Sequence, residues 1–214
     1  MQILQNTGGL AVTNCYVVAD EVAKVAVLFD APNDTAAPLL DEMQKRGWDL
    51  IGLWLTHGHF DHLADHKVVR DRFPNAKLLM HRLDEPMLIT PKSRVFPLPF
   101  EIPPGRADGY IEDGQRLQIG SLDLVAIHTP GHAPGHLMFH FPQEQILIGG
   151  DLIIMNAVGR TDLPGADPVA LHDSIRKVMK LPPETTLLPG HGHPSTLAEE
   201  METNPYVRAA AGLS

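Results

Sequence analysis

The sequence has little of what would direct a chain to an oxidising compartment, a membrane or a nucleic acid. It holds one cysteine among 214 residues, so no disulfide can form within the chain and no paired-cysteine metal motif can be built. No apolar stretch approaches the roughly 20 residues that a membrane-spanning helix needs. The opening residues, Met1 to Gly9, lack both the basic and the apolar segments of a secretory signal. There is no basic run, and the formal net charge is −9, a poor match for a polyanion such as a nucleic acid. No internal repeat, low-complexity segment or linker interrupts the chain. These absences predict a cytoplasmic protein with neither a membrane nor a nucleic-acid partner, and they leave the oligomeric state open.

What is present suits a large core. Hydrophobic residues make up 43% of the chain, which fits one α/β domain over residues 1–214 better than two small ones. Extended runs at Gln2 to Asn6, Asn14 to Ala19 and Lys24 to Phe29 follow one another closely enough to predict a meander. Cys15, in the second run, reads as a small buried apolar residue rather than a nucleophile. Asn33-Asp34-Thr35 offers an N-cap for a helix to about Arg46, stopped by Gly47, with Leu39, Leu40 and Met43 inward. A buried strand at Leu50 to Leu55, a helix from His62 to Phe73 and a strand at Lys77 to Met80 follow.

Between Thr90 and Gly109, Pro91, Pro97, Pro99, Pro103 and Pro104 rule out a regular helix or a central strand. Phe96, Leu98 and Phe100 alternate along this loop, either as an apolar rim over a substrate or as packing onto the domain. Further strands are predicted at Gln115 to Ile119, Leu122 to His128, His136 to Phe141, Gln145 to Ile148 and Thr186 to Leu188, with a helix over Pro168 to Met179.

The stretch Thr56-His57-Gly58-His59-Phe60-Asp61-His62 puts three imidazoles and a carboxylate at the end of the Leu50 to Leu55 strand, where open α/β sheets place their chemistry. His57 and His59, two apart in an extended segment, share a face and can meet at one point. Asp61 and His62 fall on the turn into the next helix and can aim at a second. Imidazole and carboxylate ligate zinc, iron or manganese. A merely capping turn would tolerate almost any polar residue, so this order points to a metal site. Ligand-type residues recur at three later strand ends, each beside glycine: His132, Asp151 and His191.

With Thr-His-Gly-His-Phe-Asp-His at 56–62, Thr-Pro-Gly-His at 129–132, Gly-Asp at 150–151 and Gly-His at 190–191, the sequence resembles the metallo-β-lactamase superfamily from roughly Leu10 to Ser195. The resemblance implies a four-layer αβ/βα sandwich with the site between the sheet edges. It implies one metal on His57, His59 and His132, a second on Asp61, His62 and His191, and Asp151 bridging the two. Asp61 and Asp151 are then the carboxylates expected to matter most in catalysis. Two zinc ions are the expected cofactors, with iron or manganese as alternatives.

Within the superfamily, the stretches Thr129 to His136 and Gly159 to Gly165 are similar to short hydrolases of the glyoxalase II kind. The second stretch is also similar to persulfide dioxygenases. Residues 192–214, beyond the last ligand, are too few for the helical domain with which full-length glyoxalase II grips glutathione, so weak glutathione specificity is expected.

Two dications about 3.5–4 Å apart would bridge a water, lower its pKa and present hydroxide to a carbonyl carbon. A thiolate, with a pKa near ~8.5, departs without a general acid. A thioester such as S-lactoylglutathione is therefore the leading expected substrate, with lactones and other activated esters behind it. The competing reading is a mononuclear iron persulfide dioxygenase on His57, His132 and Asp151. A decayed scaffold should have lost ligands, and none is missing.

Five of the 12 histidines serve as ligands in this scheme. His66 is read as a solvated side chain, His128, His136 and His140 as packing or hydrogen-bonding residues, and His193 as outside the site. Arg160 and Asp162 are expected to pair and fix the loop beyond Asp151. Lys92, Arg106 and Arg160 are the candidate cations for a substrate tail.

Overall fold

Residues that alternate between two covered faces build the centre of the molecule, whose computed structural model describes residues 1–93 and 95–213. Strands β1 (Gln2–Gly8), β2 (Thr13–Asp20) and β3 (Val25–Phe29) form the expected antiparallel meander. Helix α1 (Ala36–Lys45) leads to β4 (Asp49–Trp54), which lies parallel to β3. Then come α2 (Phe60–Leu63), α3 (His66–Arg72), β5 (Lys77–Met80), a 3-10 turn at Arg82–Asp84, α4 (Glu85–Ile89) and β6 (Gly109–Tyr110). The first sheet has the order β1 to β6.

The second half opens with β7 (Arg116–Ile119), β8 (Leu122–His128), β9 (Leu137–Phe141) and β10 (Ile146–Gly150), all antiparallel. A small hairpin, β11 (Ile153–Ile154) and β12 (Ala157–Val158), precedes α5 (Pro168–Val178). β13 (Thr186–Pro189) joins β10 in parallel, β14 (Ser195–Thr196) adds the last edge, and α6 (Leu197–Thr203) and α7 (Pro205–Ala210) follow.

Every residue of β2 is buried, because both of its faces are covered. Cys15, Val17 and Ala19 join the core shared with α1, α3 and α4. Tyr16 and Val18 point the other way, into the space between the sheets, where Phe29 packs on Trp54, Phe139 and Phe141. A third core joins the second sheet to α5, α6 and α7. Helix, sheet, sheet and helix thus stack as the four-layer αβ/βα sandwich that the resemblance implied. Burial drives the Cys15 thiol up to about 12, which removes it as a nucleophile.

Three local expectations change. The helix from His62 to Phe73 is two helices, broken at Ala64-Asp65, because Asp65 serves a distant partner. Its carboxylate accepts the amides of Thr35 (3.1 Å) and Ala36 (3.2 Å) at the start of α1. The local cap expected from Asn33-Asp34-Thr35 is therefore supplied from α3's side, and the Thr35 hydroxyl turns back to the Pro32 carbonyl at 2.6 Å. The proline-rich loop divides its apolar residues. Leu98 and Phe100 pack onto the helix-side core, whereas Phe96 stays 44% exposed with its ring 5.9 Å from that of Phe60.

No helix among the described residues is long and apolar enough to cross a membrane.

Candidate metal centre

The ends of neighbouring strands deliver the polar side chains to one place. His57 and His59 follow β4, His132 lies in the turn between β8 and β9, Asp151 follows β10 directly, and His191 comes two residues after β13. Donor atoms of His57, His59 and His132 lie within 4.8 Å of one another, and the same holds for Asp61, His62 and His191. All seven residues expected from the sequence converge. Asp151 stands between the two groups. Its Oδ2 is 3.5 Å from His132 Nε2 and 3.2 Å from His191 Nε2, and its Oδ1 is 3.3 Å from His62 Nε2.

Partners behind the cluster decide which imidazole nitrogen is bare. Thr56 gives its hydroxyl proton to Asp30 Oδ2 at 2.8 Å, so the 3.0 Å contact between its oxygen and His57 requires the proton on His57 Nδ1. His62 Nδ1 donates to the same Asp30 oxygen at 2.8 Å, His132 Nδ1 to the Arg160 carbonyl at 2.9 Å, and His191 Nδ1 to the Ala11 carbonyl at 3.2 Å. These four rings turn Nε2 inward. His59 turns Nδ1 inward, 2.9 Å from His132 Nε2. His57 Nε2, His62 Nε2 and Asp151 Oδ1 are buried without a hydrogen-bond partner. Buried polar atoms without a partner are rare and costly, and several aimed at one spot are what a bound cation satisfies. The donor set fits divalent metal.

The two sides differ in charge. Burial, reinforced by neighbouring imidazoles, holds His57 well below its ordinary pKa and His59 at about 3. Burial pushes His62 down as well, but the carboxylates of Asp151, Asp30 and Asp61 outweigh it and raise the ring well above its ordinary value. His191 behaves alike: against burial, Asp151 and Asp61 lift it to about 10. Asp61, which burial would raise, is held at about 2 by His62 and His191. A cation entering beside Asp61 must displace those protons, so its affinity falls as the pH is lowered.

The sequence model of the metallo-beta-lactamase superfamily matches residues 8–191. The chain belongs to this superfamily. A Haemophilus influenzae relative named hydroxyacylglutathione hydrolase GloC is 28% identical, over 92% of this chain and 93% of its own. The crystal structure of BLEG-1, a B3 metallo-beta-lactamase, superposes with a TM-score of 0.88 at 33% identity, covering 96% of this chain and 99% of that one. TTHA1623, solved in a di-iron-bound form, gives 0.84 at 36% identity, covering 95% and 99%. The superfamily fold and the clustered histidines and aspartates together imply divalent metals.

This metallo-beta-lactamase superfamily member supports its ligand-type residues through groups that the sequence reading passed over. Asp30 holds the Thr56 amide at 2.7 Å as well as the contacts above. Asp84, fully buried, accepts the amides of Gly58 (2.9 Å) and Gly135 (2.6 Å), clipping together the two loops that carry His59 and His132. Burial raises its carboxyl to about 6 against those two donors. Thr13 Oγ1 donates to Asp61 Oδ2 at 3.0 Å, and the Asn14 side chain holds the carbonyls of Pro189 and Gly192 at 2.9 Å each, so the start of β2 braces the His191 loop. His136 is the hydrogen-bonding residue expected, with Nε2 accepting the Asp151 amide at 2.9 Å.

His66 corrects its expectation. It is buried, and its Nε2 bonds the Pro103 carbonyl at 2.8 Å, tying the proline-rich loop to α3. His193 is exposed and outside the cluster.

Replacing Asp30 with Asn tests the tautomer argument. Its amide nitrogen, presented to His62 Nδ1, would donate and force the proton onto Nε2. The second equivalent of metal is then expected to bind about 10- to 100-fold more weakly, measured by chelator competition. Unchanged affinity would show that Asp30 does not set the ring.

Proposed function

We propose that this chain is a dinuclear metal-dependent hydrolase acting on thioesters. The observation that carries the reading is the placement of the Asp151 carboxylate between two donor groups, within 3.5 Å of His132 on one side and 3.2 Å of His191 on the other. His57, His59 and His132 would hold one ion, and Asp61, His62 and His191 the other, with Asp151 shared. Bound there, such ions supply Lewis-acid polarisation of a carbonyl and a lowered pKa for water. Zinc is the first choice, and iron is the alternative favoured by the di-iron form of TTHA1623.

The chain's own residues do the rest. The Asp30, Thr56, His136 and Asp84 contacts fix the donors before substrate arrives, which lowers the reorganisation needed during reaction. A cavity of about 210 Å³ lies over the cluster, and its walls include Phe60, Met87, Phe96 and Leu163. Cys15 lies in the helix-side core, away from that cavity. A thiolate needs no proton in order to leave, which suits a site whose imidazoles are engaged with one another and with carboxylates. The name of the Haemophilus influenzae relative favours the same chemistry.

The deciding experiment measures metal content together with turnover of thioesters, lactones and a chromogenic β-lactam. Close to two equivalents of metal and preferential thioester hydrolysis are expected. A single iron with oxygen uptake dependent on glutathione persulfide, and no hydrolysis, would overturn the proposal.

The carrier thiol should matter less than the acyl group. Glutathione's carboxylates call for well-placed cations, and the cations lining the cavity are Lys92 and Arg160. Arg160 is already engaged, with bonds of 2.6 and 2.7 Å to Asp162. S-lactoylglutathione is therefore expected to exceed the same acyl group on a short uncharged thiol by less than about 100-fold in kcat/KM, which is roughly 2.7 kcal/mol. A larger preference would reveal a dedicated glutathione site.

A further inference from the structure

We propose that the cavity wall made by Phe60, Met87, Val95 and Phe96 seats an apolar acyl group whose outer end carries an anion met by Lys92. This rests on the thioesterase reading above and names its substrate class. A small hydroxyacyl group would leave that wall bare. Val95 and Phe96 are 52% and 44% exposed although both border the cavity, and a ligand is the partner that can cover them. The wall reaches the floor of the site. A Cβ on Gly58 would come within 3.0 Å of Met87 Cβ, so glycine there lets Met87 close against the segment carrying His57 and His59. Beside His191 the cavity is lined by the small Ala11.

Lys92 completes the pattern. It lines the same cavity and has no ion pair or hydrogen bond among the described residues, in a chain of net charge −9 that otherwise repels anions. It comes from the same loop as Val95 and Phe96. That loop is held by the Pro103 carbonyl on His66 and by the packing of Leu98 and Phe100. A group laid along it meets both apolar surface and a positive charge.

The test uses thioesters of one short, uncharged thiol with acetyl, butanoyl, hexanoyl and hexanedioyl groups, the last also as its methyl ester. From acetyl to hexanoyl, kcat/KM is expected to rise about 2- to 4-fold per methylene. The free carboxylate should outperform its methyl ester by up to about 5-fold, and this advantage should vanish in 1 M salt through screening. Phe96→Ala should flatten the chain-length dependence, and Lys92→Gln should remove the preference for the carboxylate over its ester. Both residues are exposed, so folding is not at stake. A flat acyl series, an equal loss on all acyl groups in Phe96→Ala, or a surviving carboxylate preference in Lys92→Gln would overturn the proposal.

Should no thioester turn over, the hydrolase reading fails by itself. The wall is then judged by calorimetry with 6-oxoheptanoate, a ketone analogue, against its methyl ester. Binding that Phe96→Ala weakens, with a carboxylate preference that Lys92→Gln removes, supports the wall, and no detectable binding overturns it.

Discussion

Asp61→Ala is expected to bind one metal equivalent where the wild type binds two, and to lose on the order of 10³-fold in thioester hydrolysis, roughly 4 kcal/mol of transition-state stabilisation. The two sides of the site are unequal in their dependence on this carboxylate. Asp61 Oδ2 lies 3.4 Å from His191 Nε2 and 3.6 Å from His62 Nε2, and it supplies negative charge that the second ion requires. His57, His59 and His132 are instead fixed by Thr56, by the Arg160 carbonyl and by one another. One side should therefore empty while the other stays filled. A second consequence is visible without metal. Asp61 helps to raise His191 to about 10, so that ring's titration should move down in the variant when followed by NMR in the presence of chelator. Retention of two tight equivalents with turnover within 10-fold of wild type would sink the dinuclear model.

The site was legible because its donors follow apolar strands at glycine-marked ends, and the sandwich turns those ends toward one another. The contacts that orient the donors were less so, since they join residues far apart in the chain. Asp84 bridges Gly58 and Gly135, and nothing near Arg82-Leu83-Asp84 in sequence announces an acceptor for both. Asp65 left its helix to cap α1 for the same kind of reason: a tertiary acceptor outcompeted the local pattern. Asp30 did carry a signal. It follows the apolar strand Val25–Phe29 just as Asp151 follows β10, and it adopts a positive φ of 61°, an uncommon backbone choice that tertiary bonds must hold. The last two helices, which were not among the expected elements, carried signals as well. Thr196 and Glu199 form a capping box, and Asn204 caps a helix that opens with Pro205.

Gly190→Ala should be one of the most damaging single methyl groups in the molecule. A Cβ there would sit 2.1 Å from Asp151 Oδ1 and 2.8 Å from His62 Cε1, well inside contact distance of the shared carboxylate. The backbone cannot retreat. The Gly190 amide donates to the Gly150 carbonyl at 2.7 Å, and the Gly190 carbonyl accepts from the Asn14 amide at 2.7 Å, so the loop is held from both sheets. The Asp151 carboxylate must therefore rotate away, and because it serves both donor groups, both ions are affected. Turnover is expected to fall on the order of 10³-fold or more, with the second equivalent of metal at least about 100-fold weaker. Overpacking should also cost about 1–3 kcal/mol of stability in chelator.

Gly192→Ala is the control that separates crowding from backbone strain. Gly192 has a positive φ of 75°, but its nearest prospective contact is 3.9 Å away, at Ile154 Cγ2. Its alanine variant should lose about 1 kcal/mol of stability through the left-handed conformation alone and bind metal as tightly as the wild type. If Gly190→Ala behaves like Gly192→Ala in a metal titration, the carboxylate has room that this geometry denies it, and its place between the two donor groups is not what sets metal binding.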